Sequence, residues 1–422
     1  IKMIRIKSID SYEYNDKTVL LRLDINSPID RKTKKITSDN RIKKSIPTLS
    51  YLLERGAKVV IISHQGDTLD YENLIPMCEH ARKLSKLTGK IISYTDDVCG
   101  PDAIFKVGRL KPGEGVLLGN LRYLTEEVST FENDVILYPE HMKDTWLLRT
   151  LGKVCDIYVN DAFSAAHRNC PSMTGFQKIL PSAAGIQFFN EYIALSKLIT
   201  GAKRDVVFVL GGSKISDAFG MLNEVLEQKI ADKILTCGIT GQVMLIASGF
   251  NLGRVQEKYF RERGLLKFVE DAKKYLKNYH GKIIYPLDLA FDDEGKRSEM
   301  ETQNLSGENR LFMDIGEKTA KLYSEEIKKA GTVFLNGPAG VYEDGKFSSG
   351  SKALINAISK SEAYTVIGGG DTVSLAERYT DLKDFNYVCT AGGAMVRFLS
   401  GKKLPLIQAM EDSYNNGLGK LR

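Results

Sequence analysis

The sequence of 422 residues lacks the features of disulfide-rich, zinc-binding and membrane-spanning proteins. Its six cysteines form no C-x-x-C pair and have no histidine-rich tract beside them, so neither a disulfide framework nor a zinc site is expected. No apolar run approaches the roughly 18 residues of a membrane span, and the first residues lack the apolar core of a signal peptide. Scattered thiols in a long chain are typical of a reducing compartment, so we expect a cytoplasmic protein without a membrane partner.

The charge balance also lacks a strong excess of either sign. The net charge is +6, and charged residues make up 27% of the chain. This balance suits a small anionic substrate, but neither a basic face nor a known nucleic-acid-binding motif is evident, so no nucleic-acid partner is expected. At roughly 100–200 residues per domain, the length predicts two domains.

What the sequence does contain is a repeated alternation of short apolar runs and amphipathic segments. The apolar runs are too short for helices and predict buried strands: Thr18–Leu23, Lys58–Ile62, Val116–Leu118, Ile157–Val159, Val206–Leu210, Ile234–Thr236, Thr332–Leu335 and Thr365–Ile367. Helical patterns separate them, as in Arg41–Glu54 and Asp217–Gln228. This alternation predicts an α/β protein with two doubly wound parallel-sheet, Rossmann-like domains.

The alternation pauses once, at Leu180–Gly185, and this segment is interpreted as a hinge between the two domains. The predicted boundaries are 1–180 for the first domain and 181–399 for the second. The C-terminal segment 400–422 is expected to pack back on the first domain or on the hinge.

Polar residues that follow the strands of the first half form a set suited to a small anion. In open parallel sheets, ligands bind beyond the carboxyl ends of the strands, and arginine offers a planar fork of donors that matches phosphate and carboxylate. Any one arginine is more often a solvated surface charge, but each member of this set follows an apolar run or opens the next helix: Asp24, Asn26, Arg41, His64, Arg122, His167 and Arg168.

Glycine-rich turns follow the strands of the second half. Glycine lets backbone N–H groups approach a phosphate, and the next helix N-terminus adds partial positive charge. One such turn is weak support, because glycine clusters also make ordinary tight turns, but four in one half favour a nucleotide: Gly211–Lys214, Asn336–Gly340, Gly368–Thr372 and Ala391–Ala394. A Walker A match that begins at Gly340 fails, because Phe347 stands where the Mg²⁺-binding hydroxyl is required.

Six motifs in order make the chain resemble phosphoglycerate kinase, from about Lys17 to Pro405, and their detailed form is similar to the archaeal branch. They are R-x-D-x-N-x-P at Arg22–Pro28, N-D-A-F-x-x-A-H-R at Asn160–Arg168, L-P-S-A-A-G at Leu180–Gly185, L-G-G-x-K at Leu210–Lys214, N-G-P-x-G-V-x-E at Asn336–Glu343 and G-G-G-D-T at Gly368–Thr372.

For the first domain, the resemblance implies a site for 3-phosphoglycerate. Asp24 and Asn26 are expected at its hydroxyl and carboxylate end, and Arg41 near the reacting carboxylate. The phosphate is expected to lie against three further residues: His64, Arg122 and Arg168.

For the second domain, the resemblance implies a Mg²⁺–ATP/ADP site. Gly212, Gly238 and Gly337 would pack around the adenosine, and Glu343 would bind the ribose. The remaining nucleotide-binding residues would be Ser213, Asn336, Pro338, Gly369, Gly370, Asp371 and Thr372. Asp371 would bind Mg²⁺, and the catalytic residues would be Arg41, Lys214, Gly370 and Gly393.

The implied chemistry needs no protein nucleophile, since a carboxylate is already anionic; positioning and charge neutralisation suffice. Closure about Leu180–Gly185 is expected to join the half-sites, and the protein is expected to be a monomer or a weak homo-oligomer.

Two positions depart from the family pattern. Asp67 stands where H-x-G-R-P would place a phosphate-binding arginine, and Ala218 stands where many relatives carry a second lysine. A charged hydrogen bond is worth roughly 1.5–3 kcal/mol, so two alternatives stay open. One is a kinase of the same fold acting on another phosphorylated carboxylic acid, and the other is a binding or regulatory protein on the same scaffold, which retention of Arg41, Lys214, Glu343 and Asp371 disfavours.

Overall fold

A computed structural model describes residues 5–66, 74–305, 307 and 309–416. The chain divides into two compact units. The first unit is drawn from residues 2–193 and 403–422, and the second from residues 194–402.

The first unit contains one parallel sheet of six strands. The strands are β1 Thr18–Arg22, β2 Lys58–Ile62, β3 Ile92–Tyr94, β4 Gly115–Leu117, β5 Ile157–Asn160 and β6 Ser182–Ala184. Their spatial order is β3-β4-β2-β1-β5-β6. Successive residues of β1 enter different cores, with Leu21 in one and Leu20 in the other, because strand side chains alternate between the two faces. Both faces are therefore buried, which explains the continuous apolar runs.

Helices cover this sheet on both faces. They are α1 Asn40–Glu54, α2 Cys78–Thr88, α3 Pro101–Val107, α4 Ser129–Val135, α5 Pro139–Met142, α6 Trp146–Val154, α7 Ile186–Thr200 and, from the end of the chain, α16 Pro405–Asn415. Helix α16 packs on the segment Pro171–Gly175 and on β6.

The second unit contains a second parallel sheet. Its strands are β7 Val206–Leu210, β8 Lys233–Thr236, β9 Ile283–Ile284, β13 Thr332–Asn336, β14 Tyr364–Gly368 and β15 Tyr387–Cys389. Their order is β15-β14-β13-β7-β8-β9. A separate antiparallel sheet is formed by β10 Asp288–Asp293, β11 Lys296–Glu301 and β12 Phe312–Ile315, in the order β11-β10-β12.

The helices of the second unit alternate with its parallel strands. They are α8 Ile215–Glu227, α9 Gly238–Ala247, α10 Gly253–Glu262, α11 Val269–Asn278, α12 Glu317–Lys329, α13 Ser349–Ser359, α14 Gly370–Tyr379 and α15 Gly393–Leu399. In the part of the chain that the structure describes, no helix is both long and apolar enough to cross a membrane.

The predicted fold class, α/β with two parallel sheets, is confirmed, and each predicted apolar run overlaps a strand of one of these sheets. The antiparallel sheet was not predicted. The pause at Leu180–Gly185 contains a strand, because Ser182–Ala184 pairs in parallel with β5 at the edge of the sheet. The role of this segment as a hinge stays a prediction.

Candidate active site

The anion-binding residues predicted for the first unit follow neighbouring parallel strands. Asp24 lies two residues after β1, His64 lies two residues after β2, and Arg122 lies in a short 3₁₀ turn after β4. His167 is half-buried in the turn that precedes Arg168, after β5. Because the carboxyl ends of parallel strands meet at one edge of a sheet, these side chains are delivered to the same edge.

Asp24 and Arg41 form an ion pair at this edge. Arg41 Nη1 donates to Asp24 Oδ2 at 2.8 Å, and the Ser164 hydroxyl donates to the same oxygen. Asp24 Oδ1 is buried and has no hydrogen-bond partner among the described residues. This oxygen is therefore an acceptor suited to a substrate hydroxyl, next to an exposed cation.

Asn26 is held beside the same edge by a backbone contact. Its Oδ1 accepts the Gly66 N–H at 3.1 Å. Asp67 lies outside the described residues.

Arg122 and Arg168 each have one buried nitrogen, Nε of Arg122 and Nη2 of Arg168, with no hydrogen-bond partner among the described residues. Arg122 Nη1 donates to the Glu127 carbonyl at 2.6 Å, and Arg168 Nε donates to Glu132 Oε2 at 2.5 Å. Burial, and then the neighbouring Arg168, lower the pKa of Arg122. Unsatisfied buried donors are costly, and a phosphate would both accept from them and neutralise the repulsion.

His64 lies among these arginines. Burial lowers its pKa well below the ordinary value, and the charges of Arg22, Arg122, Arg168 and Arg41 lower it further. The imidazole is therefore neutral at neutral pH. Its Nδ1 is 2.9 Å from Arg22 Nη2.

The second unit builds its site from backbone turns. The Gly212 N–H donates to the Pro338 carbonyl at 2.7 Å, and the Gly337 N–H donates to the Thr372 hydroxyl at 2.7 Å. Gly337 has a φ of +90°, and a Cβ there would overlap the Gly211 carbonyl. These contacts tie the ends of β7, β13 and β14 together.

A cavity of about 520 Å³ opens between these turns and helix α9. Six predicted residues line it: Gly212, Ser213, Gly238, Pro338, Glu343 and Asp371. Its size is in the range of small-molecule sites.

A smaller cavity of about 100 Å³ adjoins it and shares Gly212, Ser213 and Asp371. Its other predicted lining residues are Lys214, Asn336, Gly337, Gly369, Gly370, Thr372 and Gly393. A Cβ added at Gly370 or Gly393 would meet nothing within 4 Å, so these glycines face open space. Helix α14 begins at Gly370, so the smaller cavity lies at a helix N-terminus, where backbone N–H groups favour an anion.

The donor set of the second unit fits Mg²⁺ bound through a nucleotide rather than a protein cage. Among the described residues, no group of three or more histidine, cysteine or acidic side chains could hold a metal. Asp371 lines both cavities and Asp217 lines the smaller one. Mg²⁺ commonly takes one or two carboxylates together with substrate phosphates.

Several side chains of the site were missed by sequence reasoning. Ser164, Glu127 and Glu132 hold the first-unit site, and Gln242, Gln256, Tyr259 and Arg263 line the larger cavity of the second unit. Ser164 lies inside a quoted motif, so its position was a usable signal, whereas nothing in the spacing of Glu132 indicates its arginine partner. Ala218 is buried in the first half of α8.

Comparisons with known proteins agree over almost the whole chain. A family model described as phosphoglycerate kinase matches residues 9–402. The chain is 40% identical over 408 residues to the phosphoglycerate kinase of Pyrococcus furiosus, covering 96% of this chain and 97% of that protein. It is 38% identical over 419 residues to that of Sulfurisphaera tokodaii, with 99% and 98% covered.

Solved structures give the same result. The crystal structure of phosphoglycerate kinase from Pyrococcus horikoshii superposes with a TM-score of 0.87 at 36% identity, covering 97% of this chain and 100% of that one. The phosphoglycerate kinase structure from Coxiella burnetii gives 0.81 at 29% identity, covering 96% and 99%.

Proposed function

This chain belongs to the phosphoglycerate kinase family, and from that premise we propose how its two units share the reaction. The activity is that of the family, phosphoryl transfer to a carboxylate, and the comparisons do not favour the alternative of a different acid. We propose that the first unit binds 3-phosphoglycerate and the second unit binds the magnesium nucleotide.

In the first unit, the phosphate of 3-phosphoglycerate is bound by His64, Arg122 and Arg168. The observation that carries this proposal is the pair of buried arginine nitrogens that have no hydrogen-bond partner in the described part of the chain. Asp24 accepts the substrate hydroxyl through its open Oδ1, and Asn26 binds the same end of the acid. Arg41 lies near the reacting carboxylate.

In the second unit, the larger cavity takes the nucleoside and the smaller one its phosphates. The residues that line the two cavities support this assignment of nucleoside and phosphates. Glu343 lines the larger cavity, and the smaller one is lined by Lys214, Gly370, Thr372 and Gly393. Gly212 and Gly238 line the larger cavity and allow the base and ribose to approach the backbone, whereas Gly337 lines the smaller cavity. Ser213, Asn336, Pro338 and Gly369 complete the nucleotide contacts.

The chain supplies positioning and charge to the transfer. The attacking carboxylate is already anionic, so no protein base has to remove a proton. Lys214 and the N–H groups at the start of α14 neutralise charge on the transferred phosphoryl oxygens, and Gly370 and Gly393 leave room for them. Asp371 would hold Mg²⁺, which supplies further charge neutralisation when it is bound. We also propose a cytoplasmic protein that is a monomer or a weak homo-oligomer.

Calorimetry on Arg168→Ala tests the assignment of the units. Loss of a charged hydrogen bond worth roughly 1.5–3 kcal/mol should lower the affinity for 3-phosphoglycerate by about 10-fold to 150-fold. Affinity for Mg²⁺–ADP should stay within about twofold, because the residue is in the other unit. Arg149→Ala is the matched control, since it removes an exposed arginine of α6 in the same unit and should leave both affinities unchanged. Loss of nucleotide affinity alone in Arg168→Ala would overturn the assignment.

A further inference from the structure

A buried hydrogen-bond chain runs from Glu127 to His64 beneath the first-unit site. Ser172 donates its N–H to Glu127 Oε1 at 2.7 Å and its hydroxyl to Oε2 at 2.6 Å. Arg22 Nε then donates to the Ser172 hydroxyl oxygen at 3.4 Å, and Arg22 Nη2 is 2.9 Å from His64 Nδ1. The phosphoryl-transfer mechanism described above uses none of Glu127, Ser172 and Arg22.

The direction of the two hydrogen bonds that Arg22 makes in this chain is determined by the chemistry of arginine. A guanidinium carries five N–H donors and no acceptor, and it stays protonated in proteins. His64 Nδ1 must therefore accept, which requires that Nδ1 carries no proton. A neutral imidazole with a bare Nδ1 carries its proton on Nε2.

Arg22 is fixed in this orientation from several sides. The residue is only 3% exposed. Its Nη1 also donates to the Leu23 carbonyl and lies 3.5 Å from the Ser63 hydroxyl. With its donors engaged inside the protein, Arg22 is placed to orient His64 rather than to bind a ligand itself.

The charges that face His64 also keep it neutral. They come from four elements, with Arg22 at the end of β1, Arg41 in α1, Arg122 after β4 and Arg168 after β5. Each of these cations disfavours an imidazolium, as does burial.

We propose that Arg22 is a positioning residue that holds His64 in the neutral Nε2–H tautomer, so that His64 presents one fixed N–H donor to the substrate phosphate. The opposite tautomer would present a lone pair to the phosphate and repel it. The phosphate half of this inference rests on the proposed function of the first unit; the tautomer half does not.

The test is a long-range proton–nitrogen NMR spectrum of the full chain labelled with ¹⁵N in its five histidines, with the His64 signals identified by their loss in His64→Gln. We expect the Nε2–H pattern for His64 without substrate, unchanged between about pH 6 and pH 8. An Nδ1–H pattern or an imidazolium at pH 7 would overturn the inference. The tautomer is read from the wild-type spectrum, and His64→Gln serves only to assign the signals.

Variants of Arg22 then test the cause. In Arg22→Met, we expect a mixture of both tautomers and a raised His64 pKa, because one facing cation is gone. Arg22→Lys should restore the Nε2–H pattern, since an ammonium group also only donates. His80 is the internal control: its Nε2 lies 3.0 Å from Gln65 Oε1, which also accepts the Ser27 N–H, so its signals should not change.

Steady-state kinetics distinguish a role of Arg22 in positioning His64 from a general disturbance of the structure. The KM for 3-phosphoglycerate should rise roughly 2-fold to 10-fold in Arg22→Met at pH 7.5, with the KM for the nucleotide unchanged. The ratio of the KM of Arg22→Met to that of the wild type should fall toward 1 as the pH is lowered to 5.5, because an imidazolium donates from both nitrogens. A pure Nε2–H pattern in Arg22→Met would overturn the role of Arg22. If 3-phosphoglycerate leaves the wild-type His64 signals unmoved, the proposed phosphate site fails and the tautomer assignment stands.

Discussion

The first and second units present different parts of the polypeptide to a phosphorylated ligand. The first unit uses charged side chains at strand ends, and each of them is itself held by an internal partner, such as Glu132 for Arg168. The second unit uses backbone turns, in which glycines at positive φ, such as Gly212 and Gly337, bring strand ends into contact. Under the proposed function, the two sites bind the same chemical group by different physical means.

The two sites also differ in the free-energy cost that each one imposes on the protein without its ligand. The first unit places like-charged arginines close together, and some of its buried arginine nitrogens have no hydrogen-bond partner among the described residues; each such group costs about 1–3 kcal/mol. In the second unit, the cost lies in the backbone conformation at positive φ, and glycine adopts that conformation without a steric penalty. Substitutions should accordingly act on ligand affinity in the first unit, and on either folding or transfer in the second.

The largest effect on activity is expected at Lys214, the side chain that we propose neutralises charge on the transferred phosphoryl group. Lys214→Ala should lower kcat about 100-fold to 1,000-fold, the scale seen when one donor to a developing charge is removed. KM for either substrate should change far less, because the lysine acts on charge that develops during transfer. Steady-state kinetics with both substrates varied measures this, and an unchanged kcat would remove Lys214 from the mechanism. Lys214→Arg, which keeps the charge, is the control.

Two glycines of the second unit should separate folding from binding. Gly337→Ala forces a Cβ against the Gly211 carbonyl at a φ of +90°, so we expect a loss of about 1–3 kcal/mol of stability, measured as a lower Tm. Gly370→Ala adds a methyl group that meets no protein atom within 4 Å, so Tm should be retained while nucleotide KM rises. Equal changes in Tm for the two variants would contradict the comparison.

A smaller effect is expected from buried carboxyl groups, one in each unit. Burial raises the pKa of Asp161 in the first unit to about 7. Between about pH 4 and pH 7 the unfolded chain therefore binds fewer protons than the folded one, so stability falls as pH rises and levels off above pH 7. Asp161→Asn cannot ionise and still accepts the Phe188 N–H, so its Tm should exceed that of the wild type at pH 8 and match it near pH 4.

Asp314 of the second unit is the matched control. Burial raises its pKa to about 6, but Arg297 Nη1 donates to it at 2.9 Å. Because the pKa of Asp314 is also raised, its ionisation costs stability as well, and Arg297, which also pairs with Glu299, offsets part of that cost. The gain in Tm at pH 8 should therefore be smaller for Asp314→Asn than for Asp161→Asn, and a larger gain for Asp314→Asn would contradict this account.

The two units also differ in how far the sequence predicts them. In the second unit, four glycine-rich turns that follow strands predicted a nucleotide site, and the resemblance to the family supplied the roles of individual residues. Gly212, Gly337 and Asp371 all line the cavities. The antiparallel sheet β10–β12 was missed, since its polar outer strand Lys296–Glu301 lacks an apolar alternation.

In the first unit, the arginines were predicted but their partners were not. Glu132 and Ser172 lie far in the sequence from the groups they hold, 36 residues in the case of Arg168. No local pattern encodes such a contact, because it depends on how loops pack over the sheet. For the same reason the role of Arg22, quoted only as part of a motif, required the structure.

The division of labour between the units is tested most directly by hydrogen exchange of the wild-type chain with each ligand added separately. With 3-phosphoglycerate alone, exchange should slow at the strand ends of the first unit, around 63–66 and 164–168. With Mg²⁺–ADP alone, it should slow at 211–214, 336–343 and 369–372 of the second unit. Protection of the glycine turns by 3-phosphoglycerate, with none in the arginine-bearing segments, would contradict the account.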